Sequence, residues 1–174
     1  DKHTSGLLVV ARTQPALLRL SQLFKDRQIS KTYYALVFGH TDTIGTIDVP
    51  IGRHPSQRHK MAADGVASRH ATTHYQAHTY YDEGYTLLQL DLVTGRTHQI
   101  RVHCASIGHP LIGDVMYGRT SPMMNRQALH AGKLAFTYQG KQYEYEAPLP
   151  DDFASLLSKL TKIEVDVDTG SSPA

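Results

Sequence analysis

The sequence predicts an α+β fold, with a largely antiparallel mixed sheet and a few flanking helices. Two hairpins carry this prediction, one pairing residues 69–81 with 85–93 and the other pairing residues 128–138 with 141–147. Within residues 85–93 alternate positions are apolar, as in a strand that buries one face. Hairpins interspersed with a few helices are typical of an α+β domain.

Three further strands are predicted from runs of apolar, aromatic or β-branched residues: residues 6–12, 31–39 and 45–52. The last of these leads into a basic loop, residues 53–68. No internal repeat and no linker divides the chain. We therefore expect one domain, residues 1–162, followed by a polar tail, residues 163–174.

Capping and helix-ending residues predict three helices. Their spans are residues 14–27 after the cap Thr13, residues 97–107 before Gly108, and residues 153–160 after the cap Asp151 or Asp152.

The composition, with 40% hydrophobic and 20% charged residues among 174, is that of an ordinary globular domain. No apolar run is long enough to span a bilayer, so no membrane partner is expected. The chain has one cysteine, Cys104, which excludes an internal disulfide and fits a reducing compartment. We therefore expect a cytoplasmic protein, and we expect it to be a monomer.

Positive charge is concentrated in one part of the sequence, although the formal net charge is only +2. Residues 53–70 contain three histidines, a single acidic residue, Asp64, and four stronger cations. These cations are Arg53, Arg58, Lys60 and Arg69. The cluster predicts a positive patch, which is either a contact for an anionic partner or a solvated surface.

The densest group of functional side chains is T-G-R-T-H-Q-I-R-V-H, residues 94–103. On a helix His98 and Arg101 share a face, and Ile100 lies on the stripe that enters the core. Arg101 is then partly buried, and a buried guanidinium needs a carboxylate or a phosphate partner. A salt bridge that only locks the helix fits this spacing equally well.

The same segment gives little support for a metal. His98 and His103 are five residues apart, which is a poor spacing for two ligands on one helix face, and the chain has no cysteine pair. Cys104 beside His103 does not form a catalytic dyad, since neighbours on a helix point about 100° apart. We therefore expect no metal and no cofactor.

Several motifs, in this order, resemble the RluA/RluD-type pseudouridine synthases. They are D-K-H-T-S-G-L-L-V-V-A, K-T-Y-Y-A-L-V-F-G, T-G-R-T-H-Q-I-R-V-H, G-H-P-L-I-G-D-x-x-Y-G, A-L-H-A and E-A-P-L-P. The resemblance covers roughly residues 1–160. Several motifs in the family's order are much more specific than any one of them alone.

The resemblance implies a catalytic site. Asp1 matches the family's catalytic aspartate, and Tyr33 matches its active-site tyrosine, with Tyr34 the less favoured candidate. Arg101 matches the basic residue that pairs with the aspartate, and Ile100 the apolar residue beside the tyrosine. These enzymes isomerise uridine in RNA to pseudouridine without a metal or a cofactor.

The resemblance also implies an RNA partner, most often large-subunit ribosomal RNA in this branch of the family. A uridine that flips out of its stack would reach Asp1. The basic segment that runs to Arg69 is expected to hold the flanking phosphates together with Arg96 and His98, and its named contacts are Arg53, Arg58 and Lys60. Three alternatives remain open: an RNA-binding module of the same fold without turnover, a synthase that acts on transfer RNA, and a metal-dependent hydrolase.

The family's His-Arg-Leu before the aspartate is missing from this sequence, which starts at Asp1. We expect the 174-residue chain to be inactive or weakly active and an upstream extension to restore turnover. Pseudouridine yield from the two proteins on one RNA measures this, and equal yields would contradict it.

Overall fold

The structure is a computed structural model that describes residues 1–163. Its strands are β1 (Ser5–Gly6), β2 (Ile29–Phe38), β3 (Ile44–Asp48), β4 (Ile51–Arg53), β5 (Met61–Ala63), β6 (Val66–Arg69), β7 (Thr72–Tyr81), β8 (Tyr85–Leu92), β9 (Leu129–Tyr138) and β10 (Lys141–Glu146). Its helices are α1 (Gln14–Lys25), α2 (Gln99–Ser106) and α3 (Asp151–Ser158). The predicted polar tail lies outside the described residues, except for its first residue.

A seven-stranded sheet forms the centre of the molecule. Its order is β1-β9-β2-β8-β7-β3, and β10 also pairs with β9. β1 runs parallel to β9, whereas the other pairs in this sheet are antiparallel. The predicted α+β class, with a largely antiparallel mixed sheet, is confirmed, and both predicted hairpins form as β7–β8 and β9–β10.

The sheet is covered on both faces. On one face Ala35, Val37 and Leu90 pack with Ile100 and Cys104 of α2. On the other face the core includes Leu36 and Leu87 from the sheet and Phe153 and Leu156 from α3. Because adjacent strand residues point to opposite faces, β2 and β8 contribute to both cores. No helix in residues 1–163 is long and apolar enough to cross a membrane.

The predicted strand over residues 6–12 is wrong beyond its first residue. The Leu7 N–H donates to the Ala131 carbonyl at 2.9 Å, but residues 7–12 form no strand, and Leu8 is 85% exposed. β1 pairs with the start of β9 only, since β10 occupies the same edge from Lys133 onward. An apolar run without a free edge beside it cannot extend the ladder.

Two other loop and strand predictions need correction. The single strand expected over residues 45–52 is interrupted and forms β3 and β4. The basic loop, residues 53–68, is not a loop throughout, because β5 and β6 pair with β4 in a separate three-stranded sheet. This small sheet packs on α2 through Ile51 and Val102.

The three helices lie close to their predicted spans. Thr13 caps α1 as expected, its hydroxyl accepting from the Ala16 N–H at 3.4 Å. α2 is shorter than predicted, because His98 takes a left-handed conformation with φ of 57° and the helix starts after it. The cap of α3 is Pro150, whereas the sequence predicts Asp151 or Asp152.

A bulge between β2 and β9 sets the direction of two tyrosines. Thr32 pairs with Lys133 but Tyr33 pairs with Ala131, so Gly132 is the extra residue. A Cβ on Gly132 would lie 2.5 Å from the Tyr34 ring, which is closer than packing allows. Bulges re-aim side chains, and here the glycine lets the Tyr34 ring lie against the backbone of β9.

Substituting Gly132→Ala should destabilise the fold by roughly 2 kcal/mol, because the added methyl group forces the Tyr34 ring or the bulge to move. Urea unfolding followed by circular dichroism measures the change. Gly95→Ala is the matched control, since its Cβ would meet only the Lys31 Nζ atom at 3.6 Å. Equal destabilisation by the two substitutions would show that the close approach of the Tyr34 ring to Gly132 does not contribute to the free energy of unfolding.

Candidate active site

Asp1 lies on a turn that leads into β1 and is held by the loop before β9. The Thr4 N–H donates to the Asp1 carbonyl at 3.2 Å and closes the turn. The Gln127 side-chain amide donates to the Lys2 carbonyl at 2.8 Å. β1 then fixes the direction of the chain through its pairing with β9. As a result the Asp1 side chain is only 18% exposed.

An ion pair from the far side of the molecule braces the same turn. Arg126 donates from Nη1 to the His3 carbonyl at 3.1 Å. The other nitrogens of this guanidinium, Nε and Nη2, bind the carboxylate of Asp152 in α3 at 2.7 and 2.9 Å. α3 therefore adds support to the turn that carries Asp1, although it packs on the opposite face of the sheet.

Arg101 is buried in α2 and contacts two carboxylates. Its Nε and Nη2 atoms donate to the two oxygens of Asp114 at 2.7 and 2.8 Å. Its Nη1 atom lies 3.7 Å from Oδ2 of Asp1. The structure thus brings Arg101 and Asp1 together, but the stronger partner of Arg101 is Asp114, which the sequence reasoning missed. Asp114 lies in the quoted motif G-D-x-x-Y-G, and its motif position was the only signal for it.

The environment of Asp114 keeps its carboxylate ionised. Burial alone would raise the pKa of Asp114, but the hydrogen bonds and positive charge of Arg101 outweigh burial and lower it below its ordinary value. The N–H groups of Tyr117 and Met116 also donate to it at 3.2 and 3.0 Å and act in the same direction. A fully paired, charged Asp114 therefore holds Arg101 in one orientation.

His98 lies beside Asp1, whereas the sequence predicts that it contacts RNA phosphates. Its Nε2 atom is 4.0 Å from Oδ1 of Asp1, and its Nδ1 atom is 2.7 Å from the Tyr117 hydroxyl. Burial lowers the pKa of His98, and the positive charge of Arg101 lowers it further. When the phenol donates to Nδ1, the ring proton is on Nε2, the nitrogen that faces Asp1.

Tyr117 links this site to the small sheet. Its hydroxyl accepts from the Met61 N–H of β5 at 2.9 Å, and the Arg101 guanidinium lies 4.9 Å from its ring centre. Three of the predicted RNA-contacting residues belong to the same small sheet and its turn. Arg53 ends β4, Arg58 lies in the turn that follows, and Lys60 directly precedes β5. Tyr117 was also missed by the sequence reasoning.

A cavity of about 310 Å³ opens beside Asp1. Tyr33 and Ile100 line it, together with Arg96 and Leu129. Ile100 is buried and packs in the same core cluster that Tyr33 contacts. Tyr34 points to the other face of β2, where its ring meets His78 edge-on at 6.4 Å. Tyr33 therefore shares the cavity with Asp1, and burial raises the pKa of its phenol.

The segment between β8 and α2 is organised by a buried glutamine, Gln99, that the sequence reasoning did not single out. Its Oε1 atom accepts from the Thr94 hydroxyl at 2.8 Å and from the Arg96 N–H at 2.9 Å. Its amide donates to the Thr72 carbonyl and to the Thr73 hydroxyl, both at 3.0 Å. This network fixes the backbone of Arg96 at the edge of the cavity, where its Nε donates to the His70 carbonyl at 2.9 Å.

The two other groups considered from the sequence take no part in the cavity. His103 is buried, with its ring between the Thr73 hydroxyl and the Val49 carbonyl at 2.9 Å each. Cys104 is buried in the core, and burial raises its pKa to about 12, so the thiol is protonated. Among residues 1–163 no three histidine, cysteine or acidic side chains converge as a metal site requires.

The arrangement places one carboxylate, oriented by a guanidinium, at the mouth of a cavity with an aromatic wall. A family model for RNA pseudouridylate synthases matches residues 1–106, and the chain belongs to that family. The resemblance seen in the motifs is therefore confirmed.

Individual relatives share the similarity along most of the chain. Ribosomal large subunit pseudouridine synthase D of Nitrosomonas europaea is 46% identical over 94% of this chain, and that of Zymomonas mobilis is 44% identical over 92%. The Escherichia coli protein of the same name is 42% identical over 90%. This chain spans about half the length of these relatives, 50%, 54% and 52% respectively.

Solved structures agree with this assignment. Human RNA Pseudouridylate Synthase Domain Containing 1 superposes with a TM-score of 0.82 at 30% identity, over 97% of this chain and 74% of its own. Human RNA Pseudouridylate Synthase Domain Containing 4 gives 0.75 at 24% identity, over 92% and 74%. The second similarity supports the fold alone.

Asp114→Asn should destabilise the protein by about 3 kcal/mol, because it leaves the buried Arg101 without its charged partner. Asp152→Asn is the control. Asp152 forms the same kind of bidentate ion pair with Arg126, but its side chain is 51% exposed. An exposed pair contributes less, so the control should lose about 1 kcal/mol or less. Urea unfolding at neutral pH compares the two, and equal losses would contradict the importance of burial.

The same pair has a predicted pH signature. The pKa of Asp114 is lowered on folding, so its contribution to stability is complete above the unfolded value, about 3.9. That contribution is lost as the pH falls through the lower folded value. Stability measured below about pH 4 should therefore fall less steeply in Asp114→Asn than in the wild type. Parallel curves would show that Asp114 does not titrate in this way.

Proposed function

We propose that this protein converts uridine to pseudouridine in RNA, using Asp1 as its catalytic group. The observation that carries the proposal is the Asp1 carboxylate, 3.7 Å from the buried Arg101 and open to a cavity that Tyr33 lines. Membership of the pseudouridylate synthase family supports the chemistry. The chain spans about half the length of these relatives, so the activity of the whole protein is a proposal.

The reaction is an isomerisation, so its atoms balance without a second substrate. The C1′–N1 bond breaks, the uracil turns, and a C1′–C5 bond forms, after which C5 loses a proton and N1 carries one. A carboxylate at the ribose serves this reaction in one of two ways. In the first, Asp1 attacks C1′ as the C1′–N1 bond breaks, and the bond from Asp1 to C1′ breaks again when C5 bonds to C1′. In the second, Asp1 removes a proton from C2′ as N1 leaves and returns it to C2′ when the C1′–C5 bond forms. Arg101 orients the carboxylate for either step.

Tyr33 has a binding role in this scheme. Because burial raises the pKa of Tyr33, its phenol is neutral at physiological pH. Its ring therefore offers the turning uracil a flat surface to stack on and a hydroxyl for hydrogen bonding. Ile100 supports the same wall from α2.

Access to the cavity requires base flipping. A protein side chain cannot reach C1′ of a uridine that is stacked in an RNA helix. The target uridine therefore leaves its stack and enters the cavity. The cavity volume of about 310 Å³ lies within the range of small-ligand sites. The cations of the small sheet and its turns would then contact phosphates of the surrounding RNA: the exposed Arg53 and Arg58 and the half-buried Lys60.

We propose large-subunit ribosomal RNA as the substrate. Three relatives with 42–46% identity carry the name ribosomal large subunit pseudouridine synthase D, and this supports the choice. We propose that the protein acts as a monomer. We place the protein in the cytoplasm, where its only cysteine, Cys104, would stay reduced.

Asp1→Asn should reduce pseudouridine formation by about a thousandfold or more, since the amide is neither a nucleophile nor a base. RNA affinity should change by less than about threefold, because the substitution keeps the size of the side chain. Carbodiimide labelling of the RNA product measures turnover, and fluorescence anisotropy measures binding. Retained turnover in Asp1→Asn would refute the proposed mechanism.

Asp82→Asn is the matched control, because Asp82 is an exposed carboxylate on the turn between β7 and β8. It should leave both turnover and binding unchanged. A wild-type protein that binds RNA tightly but forms no pseudouridine, even with the upstream segment present, would favour the non-catalytic RNA-binding module. Labelling of transfer RNA but not ribosomal RNA would instead reassign the substrate.

A further inference from the structure

A second concave surface lies next to the cavity and carries strong positive charge. We call it the basic groove; it has a volume of about 350 Å³ and lies between the end of α1, the start of β2, the end of β6 and the β8–α2 loop. Five of its nine lining residues are cationic and none is acidic. The cationic residues are Lys25, Arg27, Lys31, Arg69 and Arg96.

The cations of the basic groove have no carboxylate partner among residues 1–163. None of the ion pairs in this part of the chain involves any of the five. Asp26 is adjacent in sequence to two of them, but both of its carboxylate oxygens accept from the Gln22 amide at 2.8 Å. A solvated surface usually mixes charges of both signs, whereas this groove concentrates one sign.

The charges are also close enough to repel one another. Burial lowers the pKa of Arg96, and the positive charges of Arg69 and Arg27 lower it further. Burial lowers the pKa of Lys31 as well. Three guanidinium groups from separate segments converge at an energetic cost that a bound anion would offset.

The basic groove adjoins the cavity that holds Asp1. Arg96 lines both spaces, so an RNA strand whose uridine occupies the cavity has its neighbouring phosphates next to the groove. Phe24 lines the groove and is 46% exposed, with Lys31 Nζ 5.8 Å from its ring centre. A cationic groove with an exposed aromatic ring is the combination that binds single-stranded nucleic acid, since bases stack on the ring. This feature favours a nucleic-acid strand over a free phosphate ion.

We propose that the basic groove binds the backbone of the single-stranded RNA segment next to the flipped uridine, with Arg27 and Arg69 contacting phosphates from opposite walls and Phe24 stacking on a base. The proposal rests on the proposed function, since it assumes that the neighbouring cavity holds a uridine. It assigns substrate contacts to α1 and to the turn after it, neither of which belongs to the catalytic motifs.

The test uses the double variant Arg27→Gln/Arg69→Gln, because both side chains are exposed and neither donates a hydrogen bond within residues 1–163. The matched control is Lys159→Gln/Lys162→Gln, which removes the same charge from exposed positions at the end of α3. A short fluorescein-labelled oligouridylate is titrated by anisotropy over a range of salt concentrations. Circular dichroism verifies that each variant is folded.

The double variant should bind the oligouridylate about tenfold more weakly at low salt. The negative slope of log affinity against log salt concentration should become less steep by about 1.4. This is about 0.7 for each phosphate that the protein no longer neutralises. The control should keep the wild-type affinity and slope. In pseudouridine assays the double variant should raise KM and leave kcat unchanged, since neither arginine lines the cavity.

Three results would overturn the proposal. The first is an unchanged affinity and slope in the double variant, and the second is an equal loss in the control, which would indicate a general effect of net charge. The third concerns inorganic phosphate, whose binding is measured by calorimetry. It is the result that the wild type binds phosphate, the double variant does not, and the affinity of the double variant for the oligouridylate is unchanged. Binding can be measured without turnover, so a failure of the proposed activity leaves this test decisive.

Discussion

The site depends on the buried ion pair between Arg101 and Asp114. Two nitrogens of Arg101 are occupied by Asp114, and only the third faces Asp1. The same Asp114 carboxylate accepts the N–H groups of Met116 and Tyr117 and so shapes the loop that brings Tyr117 to His98. The Asp114 carboxylate thus orients Arg101, which lies beside Asp1. It also orients the phenol of Tyr117, which contacts His98, the other residue beside Asp1. Without that carboxylate, the guanidinium would be an uncompensated buried charge.

The two carboxylates of the site, Asp114 and Asp1, differ in how completely they are paired with hydrogen-bond donors and cations. Both carboxylate oxygens of Asp114 accept hydrogen bonds from protein groups. Asp1 faces the cavity, and its carboxylate is 3.7 Å from Arg101 and 4.0 Å from His98. His98 is kept neutral by burial and by the nearby cation, so it adds no competing charge beside Asp1. The result is one available carboxylate in a region that is otherwise neutralised.

Much of the fold could be predicted from the sequence, because hairpins and amphipathic strands are local patterns. The preference for Tyr33 over Tyr34 came from the family motif, and the structure places Tyr33 in the cavity through strand alternation and the bulge at Gly132. Asp114 and Gln99 were missed, since their importance comes from partners that lie far away in sequence or in a loop. The strand expected after Gly6 failed for a related reason: whether an apolar run pairs depends on the free edge beside it, and β10 takes that edge.

The bracing of Asp1 by Arg126 and Asp152 has a consequence for the order in which the protein assembles. The hydrogen bonds that position residues 1–5 join them to residues 126–130, more than 120 positions later in the chain. Contacts of such long range form slowly, and during synthesis the early residues wait for the late ones. The first residues of this chain to leave the ribosome are therefore among the last to reach their working geometry. The contact with α3 completes the bracing of the turn that carries the Asp1 carboxylate, so this turn reaches its final geometry late in folding.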